Sequence, residues 1–124
     1  MNQQINSKYQ FEDLKCIVKE GWMDKQSRFL KKWHKRWIVL TNFTLYTFKK
    51  QQQYNNPTEV IDLNQIVSIK QADDHELQKL NSITIQTHDS IFYLIVQDEQ
   101  QQQQWISIIS SQLLKLKNQI KLQQ

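Results

Sequence analysis

The chain contains very little of three residue types that several classes of protein require. Its 124 residues include one glycine, Gly21, one cysteine, Cys16, and one proline, Pro57. A single glycine excludes the glycine-rich loops that hold phosphate groups in nucleotide-binding proteins. A single cysteine excludes an internal disulfide and a cysteine-rich metal site, and it is typical of proteins in a reducing compartment.

Long apolar segments are also missing. The longest apolar run, Ile91 to Val96, is far shorter than the roughly 20 residues that a membrane-spanning helix needs. Residues 1 to 13 have no apolar stretch of the kind found in signal peptides. We therefore expect a cytoplasmic or nucleocytoplasmic location.

Residues that carry catalysis or bind metals are scattered along the chain. His34, His75 and His88 lie in separate segments, and their spacing is not that of a metal site. Asp73 and Asp74 fall in a polar loop, which indicates a solvated surface. The sequence shows no nucleophile with a partner base and no pair of carboxylates in a cleft. It therefore predicts a protein that is not an enzyme, with no metal and no cofactor.

What the chain does contain suits one small domain with an anionic partner. Apolar residues make up 39%, and four tryptophans, four tyrosines and five phenylalanines supply enough bulk for a single core. The net charge of +4 favours a membrane surface, a nucleic acid or an acidic protein as partner, without selecting one of them.

Seven short segments are predicted to be β-strands. Apolar and polar residues alternate in Ser82–Thr87, where Ile83 and Ile85 face one side of the strand. His88 and Asp89 form a two-residue turn before the last strand, and aspartate is favoured in such turns. The predicted strands are Ile17–Lys25, Lys35–Leu40, Thr44–Lys49, Glu59–Leu63, Ile66–Gln71, Ser82–Thr87 and Ser90–Val96.

The final segment, from Asp98 to Leu116, is predicted to be an amphipathic helix. Asp98 is a favourable N-cap, and Gln101 completes a capping-box pattern. Apolar side chains recur at helical spacing and form one stripe; they are Trp105, Ile106, Ile109, Leu113 and Leu116.

Seven strands followed by one helix predict a mostly β fold. We expect a seven-stranded, bent antiparallel sheet or partly open barrel. Bending the sheet toward closure protects edge strands from pairing with other chains. The apolar stripe of the C-terminal helix would cap its open end. We place this domain at residues 14–119, with a polar N-terminal tail at 1–13 and a C-terminal tail at 120–124.

The stretch from Lys19 to Leu40 predicts a β-hairpin whose loop is rich in cations. No acidic residue follows Asp24 in this stretch, and its basic side chains after that point are Lys25, Arg28, Lys31, Lys32, His34, Lys35 and Arg36. Because side chains alternate along a strand, Lys25, His34 and Arg36 are expected on the face that carries the core. A cationic rim of this kind suits an anion, above all a phosphorylated headgroup.

Several motifs resemble those of the pleckstrin homology (PH) domain family. The Gly-Trp-Met-x-Lys motif of Gly21–Lys25, the basic loop, and the Trp-x-x-Arg-Trp-Ile-Val-Leu motif of Trp33–Leu40 resemble the opening hairpin of that family. Leu45–Lys49 resembles its third strand and Ile91–Val96 its seventh. Trp105 resembles the tryptophan near the start of the C-terminal helix.

The resemblance extends over roughly residues 17 to 117, which is nearly the whole chain. It implies two nearly orthogonal sheets capped by the helix. It also implies a non-catalytic module that binds phosphoinositides or proteins.

The resemblance also implies which side chains would hold an inositol phosphate. Family members that bind such headgroups tightly use a lysine at the position of Lys25 and basic residues at those of His34 and Arg36. They use a tyrosine at the position of Thr47, and often a basic residue at that of Thr58. This chain therefore keeps two of these anchors, Lys25 and Arg36, which implies weak selectivity. The loop cations Arg28, Lys31, Lys32 and Lys35 would add surface attraction to an anionic leaflet.

Two functions remain open from the sequence. One is weakly selective binding of anionic or phosphoinositide headgroups, with peripheral membrane association. The other is docking to a protein partner, as an adaptor or as a small subunit of a larger assembly. Nucleic acid is not expected, because the aromatic residues do not interleave with the cations as a stacking platform requires. Trp33 either enters a membrane interface or caps the rim of the barrel.

Overall fold

The computed structural model describes residues 9–27, 30–72 and 79–122. It contains seven strands, two short 3₁₀ helices (Glu12–Lys15 and Leu63–Gln65) and one long helix, α1 (Glu99–Leu122). The strands are β1 (Lys19–Gln26), β2 (Trp33–Leu40), β3 (Thr44–Phe48), β4 (Glu59–Asp62), β5 (Ile66–Gln71), β6 (Ser82–Thr87) and β7 (Ile91–Ile95). All seven predicted strands are present, with small shifts at their ends.

The strands form one antiparallel sheet in the order β4-β3-β2-β1-β7-β6-β5. β1 pairs with β2 along its whole length, but it pairs with β7 only through Asp24 and Lys25. This short junction lets the two parts of the sheet curve over a common core. Among the described residues, β4 and β5 lie at opposite ends of the order, so the sheet is not closed. The predicted mostly β fold with a bent, partly open sheet and one C-terminal helix is confirmed.

The main core lies between the concave face of the sheet and α1. Inward-facing side chains of the strands, such as Ile38 and Ile85, pack there with Trp105 and Ile109 of the helix. Trp105 is only 2% exposed. Gly21 lies beneath it, and a Cβ atom at that position would stand 3.6 Å from Cζ2 of the Trp105 ring. The helix therefore covers the sheet through the predicted apolar stripe.

α1 begins as the sequence predicts but ends later than expected. At its start, the Asp98 carboxylate accepts a hydrogen bond from the backbone N–H of Gln101 at 2.8 Å, as a capping residue does. At its end, the helix continues to Leu122, beyond the predicted Leu116. The segment 120–122, expected to be a tail, is thus the last part of the helix, because lysine and leucine favour helical conformation and isoleucine is compatible with it.

The N-terminal segment also differs from the expectation of a polar tail at 1–13. Residues 1–8 lie outside the described part of the chain, but the residues from Tyr9 onward pack on the convex face of the sheet. Tyr9 stacks on Tyr54 with ring centroids 5.4 Å apart, and Phe11 lies against Tyr46 at 5.3 Å. Aromatic rings in an otherwise polar stretch supply the contact area that the tail interpretation left out of account.

These contacts belong to a second, smaller core on the convex face. Leu14 is fully buried in it. The other buried members of this second core are Trp37, Val39, Tyr46, Phe48 and Tyr54. The sheet is therefore covered on both sides at β2 and β3, by the body of the domain on one face and by the N-terminal segment on the other.

Candidate anion-binding site

The basic hairpin is closed near its tip by contacts between the two strands. The backbone N–H of Ser27 donates to the carbonyl of Lys32 at 2.7 Å, and the N–H of Lys32 donates to the Ser27 hydroxyl at 3.1 Å. Lys31 has a φ of 54°, a left-handed conformation that is unusual for a lysine. The candidate residue Arg28 lies outside the described residues.

The tip carries exposed cations beside an exposed apolar side chain. Lys31 and Lys32 are both exposed, and Leu30 is 72% exposed. Within the described part of the chain, neither lysine forms an ion pair. The tip therefore presents positive charge to solvent, where an anionic surface could approach it.

Lys25 lies in a different environment from the loop lysines. It faces the concave side of the sheet, as strand alternation predicts, and it is only 6% exposed. Its ammonium group forms an ion pair with the carboxylate of Glu59 on β4. The same ammonium stands 5.1 Å from the centroid of the Phe92 ring, close enough for a cation–π contact. The charge of Lys25 is thus already matched inside the domain.

The other inward candidates also have internal partners or remain open to solvent. Arg36 is half-buried, and its Nη1 donates to the carbonyl of Lys35 at 2.9 Å. Thr47 is 1% exposed, and its hydroxyl is hydrogen-bonded to the hydroxyl of Thr58. His34 is exposed and lies directly opposite Lys25 in the pairing of β1 with β2.

Lys35 is on the convex side of the hairpin, away from the inward-facing candidate residues. Its ammonium stands 4.9 Å from the centroid of the Trp22 ring. Trp22 in turn packs edge-on against Trp37, with centroids 5.2 Å apart. Trp33 is half-buried, and the Lys79 ammonium lies 5.8 Å from its ring. The hairpin therefore carries cations on both its convex and its concave face.

Glu59 is the partner of Lys25 that sequence reasoning missed. It is the first residue of β4, and it pairs across the ladder with Thr47 of β3. Glu59 and Lys25 are distant in the sequence, so no local pattern links them. The signal that could have found it is strand alternation in β4, which places Glu59 on the same face as the buried Ile61.

Two further properties of the site region concern metals and membranes. In the described ranges, no group of three or more histidine, cysteine, aspartate or glutamate side chains is placed to hold a metal ion. No helix in the described part of the chain is long and apolar enough to cross a bilayer.

The fold and the basic hairpin define a small β module of the binding type. The family model described as "PH domain" matches residues 17–114, and the chain belongs to this family. PH domains are non-catalytic binding modules that commonly bind phosphoinositides or proteins.

Three known proteins illustrate this similarity. A PH domain-containing protein of Dictyostelium discoideum is 30% identical over 95 residues, which cover 77% of this chain. The chain spans only 20% of the length of that relative. A solution structure of a pleckstrin homology domain superimposes with a TM-score of 0.72 at 17% identity, covering 82% of this chain and 88% of the other. The C-terminal PH domain of pleckstrin, in complex with D-myo-Ins(1,2,3,5,6)P5, has a TM-score of 0.65 at 23% identity, covering 78% and 95%.

Proposed function

We propose that this chain is a non-catalytic module that binds anionic membrane headgroups, phosphoinositides among them, with weak selectivity. The contact surface is the tip of the basic hairpin, and the module associates peripherally with the cytoplasmic face of a membrane. The observation that carries this proposal is the exposure of Lys31 and Lys32 at the tip, without an acidic partner in the described residues.

The energetics favour attraction to a charged surface over recognition of one headgroup. Each lysine close to an anionic leaflet contributes about 1 kcal/mol, and this attraction does not distinguish one headgroup from another. Stereospecific recognition would need inward side chains that are free to contact the phosphates. Here Lys25 is paired with Glu59, and the Thr47 hydroxyl is bonded to Thr58. Weak selectivity is therefore the expected outcome.

The comparison with solved PH domains supports an anionic ligand in general terms. The C-terminal PH domain of pleckstrin was solved with an inositol pentakisphosphate bound. Because that domain is only 23% identical to this chain, the likeness supports the fold and the type of ligand, and it does not carry over the residues that bind.

Vesicle sedimentation tests the proposal. Vesicles of phosphatidylcholine alone should not bind the protein, and vesicles that also contain phosphatidylserine or a phosphoinositide should. Raising the salt concentration from low to physiological should weaken binding strongly, because the Debye length falls to about 8 Å. If one phosphoinositide isomer binds more than tenfold better than the others, and does so at high salt, the proposed weak selectivity is wrong.

A matched pair of variants locates the contact surface. The double change Lys31→Gln and Lys32→Gln removes two charges at the tip, whereas Lys115→Gln and Lys117→Gln removes two exposed charges on α1. We expect the tip variant to lose about tenfold or more in vesicle affinity, since two contributions of about 1 kcal/mol each are removed. The helix variant should stay within about twofold. Equal losses would mean that net charge alone drives binding.

Protein docking is the second candidate, and the exposed side chains on the edge strands of the sheet favour it. Val60 on edge strand β4 is 50% exposed, and Val67 on edge strand β5 is 56% exposed. An extended peptide could add to such an edge through main-chain hydrogen bonds. If the wild-type protein binds none of the anionic vesicles at low salt, this second candidate replaces the first.

A further inference from the structure

The concave side of the hairpin holds an ion pair that the proposed function leaves unexplained. Lys25 and Glu59 come from strands that are not neighbours in the sheet, β1 and β4, and they meet over its concave face. We propose that Glu59 is an internal counter-ion that occupies the place of a ligand phosphate at Lys25. In this role it limits the affinity for phosphorylated headgroups of the concave face around Lys25, His34 and Arg36, which we call the inner pocket. The inference rests on the proposed function in taking the hairpin as the anion-binding element.

The strand register explains how Glu59 reaches this place. Thr47 of β3 pairs with Ile38 of β2 on one side and with Glu59 of β4 on the other. The three residues lie in one row across the sheet, so their side chains share one face. The burial of Ile38 shows that this is the concave, core-facing side. The curvature of the sheet then brings the start of β4 toward the inward-facing Lys25.

The burial of the pair shows why the carboxylate competes with a ligand. The side chain of Lys25 is 8% exposed and that of Glu59 is 20% exposed, so both charges are largely withdrawn from water. A buried ammonium group needs an anionic partner, and a carboxylate and a phosphate oxygen satisfy it in the same way. A phosphate that approaches Lys25 must therefore displace Glu59 and also meets its repulsion.

Two other inward-facing side chains have uncharged partners. The Thr47 hydroxyl is held by Thr58, and one Arg36 nitrogen is held by a main-chain carbonyl. Neither of these partners carries a charge, so neither repels an anion. Among the described contacts of the candidate residues, Glu59 is thus the one that places a negative charge where a phosphate would bind. Neutralising it should convert a surface that binds by net charge into a pocket that binds a soluble headgroup.

The test replaces Glu59 by glutamine, which keeps the size and removes the charge. Isothermal titration calorimetry with inositol 1,4,5-trisphosphate, a headgroup without a membrane, measures binding at the pocket. We expect Glu59→Gln to bind this probe at least tenfold more tightly than the wild type. Asp24→Asn is the matched control, because it makes the same change in net charge on the convex face of β1, and it should change affinity by no more than about twofold.

A second variant assigns the gain to Lys25. In a protein that carries both Glu59→Gln and Lys25→Met, the gain should disappear. Because unpairing Lys25 can lower stability, the thermal melting temperature of each variant is recorded with and without the probe. A larger ligand-induced rise for Glu59→Gln than for the wild type supports the proposal even when the fold is weakened. Equal gains in Glu59→Gln and Asp24→Asn, or a gain that survives Lys25→Met, would overturn it.

The two proposals fail in different ways. If the wild type binds anionic vesicles but Glu59→Gln shows no gain for the soluble headgroup, the counter-ion inference is wrong and the proposed function stands. If the wild type binds no vesicle but Glu59→Gln gains affinity through Lys25, the proposed function is wrong. The inner pocket is then a latent phosphate site that Glu59 blocks.

Discussion

Two acidic side chains of this domain, Asp13 and Glu20, act as internal hydrogen-bond acceptors. Asp13 accepts hydrogen bonds from the hydroxyl of Tyr46 and from that of Thr41, each at 2.6 Å. Glu20 accepts one from the indole N–H of Trp37 at 2.8 Å and one from the hydroxyl of Tyr54 at 2.7 Å. Asp13 thus connects the N-terminal segment, and Glu20 connects β1, to side chains of the second core.

The bond between Tyr46 and Asp13 predicts a loss of stability in alkali. Burial raises the pKa of the Tyr46 phenol above its usual value of 10.0, and the hydrogen bond to Asp13 raises it further. Because the folded state favours the neutral phenol, the contribution of Tyr46 to the free energy of unfolding is complete below about pH 10. It is lost as the pH rises above that value. The free energy of unfolding should fall more steeply above pH 10 in the wild type than in Tyr46→Phe.

Denaturant unfolding at several pH values measures both effects. At pH 7, Tyr46→Phe should lower the free energy of unfolding by about 1.5–3 kcal/mol, as expected for a hydrogen bond to a charged group. Parallel pH profiles for the two proteins between pH 9 and 11 would contradict the assigned role of Tyr46.

At the residue scale, the sequence could predict the faces of the strands but not the partners of the side chains. Strand alternation placed Lys25 inward, and its low exposure confirms this. It could not pair Lys25 with Glu59, because that contact depends on the curvature of the sheet. Gln102 is a similar case. Its amide donates to the carbonyl of Ser82 at 2.7 Å and accepts from Gln71 at 3.0 Å, although it lies in a run of glutamines that shows no pattern.

At the scale of elements, we expect α1 to stabilise the fold more than the hairpin does. Trp105 is 2% exposed against the core, whereas Trp33 is half-buried beneath Lys79. Truncation of a buried tryptophan typically costs about 3–5 kcal/mol. Trp105→Ala should therefore leave the protein largely unfolded, because a small domain has only about 5–15 kcal/mol of stability in total.

Trp33→Ala is the comparison for this prediction. With a half-buried ring at the start of β2, Trp33→Ala should cost about 1 kcal/mol, in the range of ordinary single substitutions. Thermal melts of the two variants measure the difference. A larger loss in Trp33→Ala than in Trp105→Ala would mean that the tip, and not the helix, covers the core.

The number, type and approximate position of the regular elements were predictable, because alternation and helical spacing are local signals. Ile66–Gln71 and Ser82–Thr87 have the predicted limits. The packing of the N-terminal segment was not predictable in this way. Tyr9, Phe11 and Leu14 follow no period, and they are held by contacts with strands far along the chain.

At the scale of the whole molecule, the sheet is held between two cores, and the smaller one depends on the N-terminal segment. Removing residues 1–15 takes away fully buried Leu14 and the carboxylate of Asp13. Burial of a leucine contributes about 1.5–3 kcal/mol, and each hydrogen bond to a carboxylate contributes about 1.5–3 kcal/mol. We therefore expect this deletion to lower the free energy of unfolding by at least about 3 kcal/mol.

The matched deletion removes residues 117–124 from the other end of the chain. From Lys117 to Leu122 every side chain of α1 is exposed, whereas Leu116 before them is buried. This deletion should cost less than about 1 kcal/mol, as expected when only solvated positions are changed. Urea unfolding of both shortened proteins compares the two ends directly. If loss of residues 117–124 destabilises the domain as much as loss of residues 1–15, the second core does not contribute as its contacts indicate, and the boundary of the folded domain lies after the N-terminal segment.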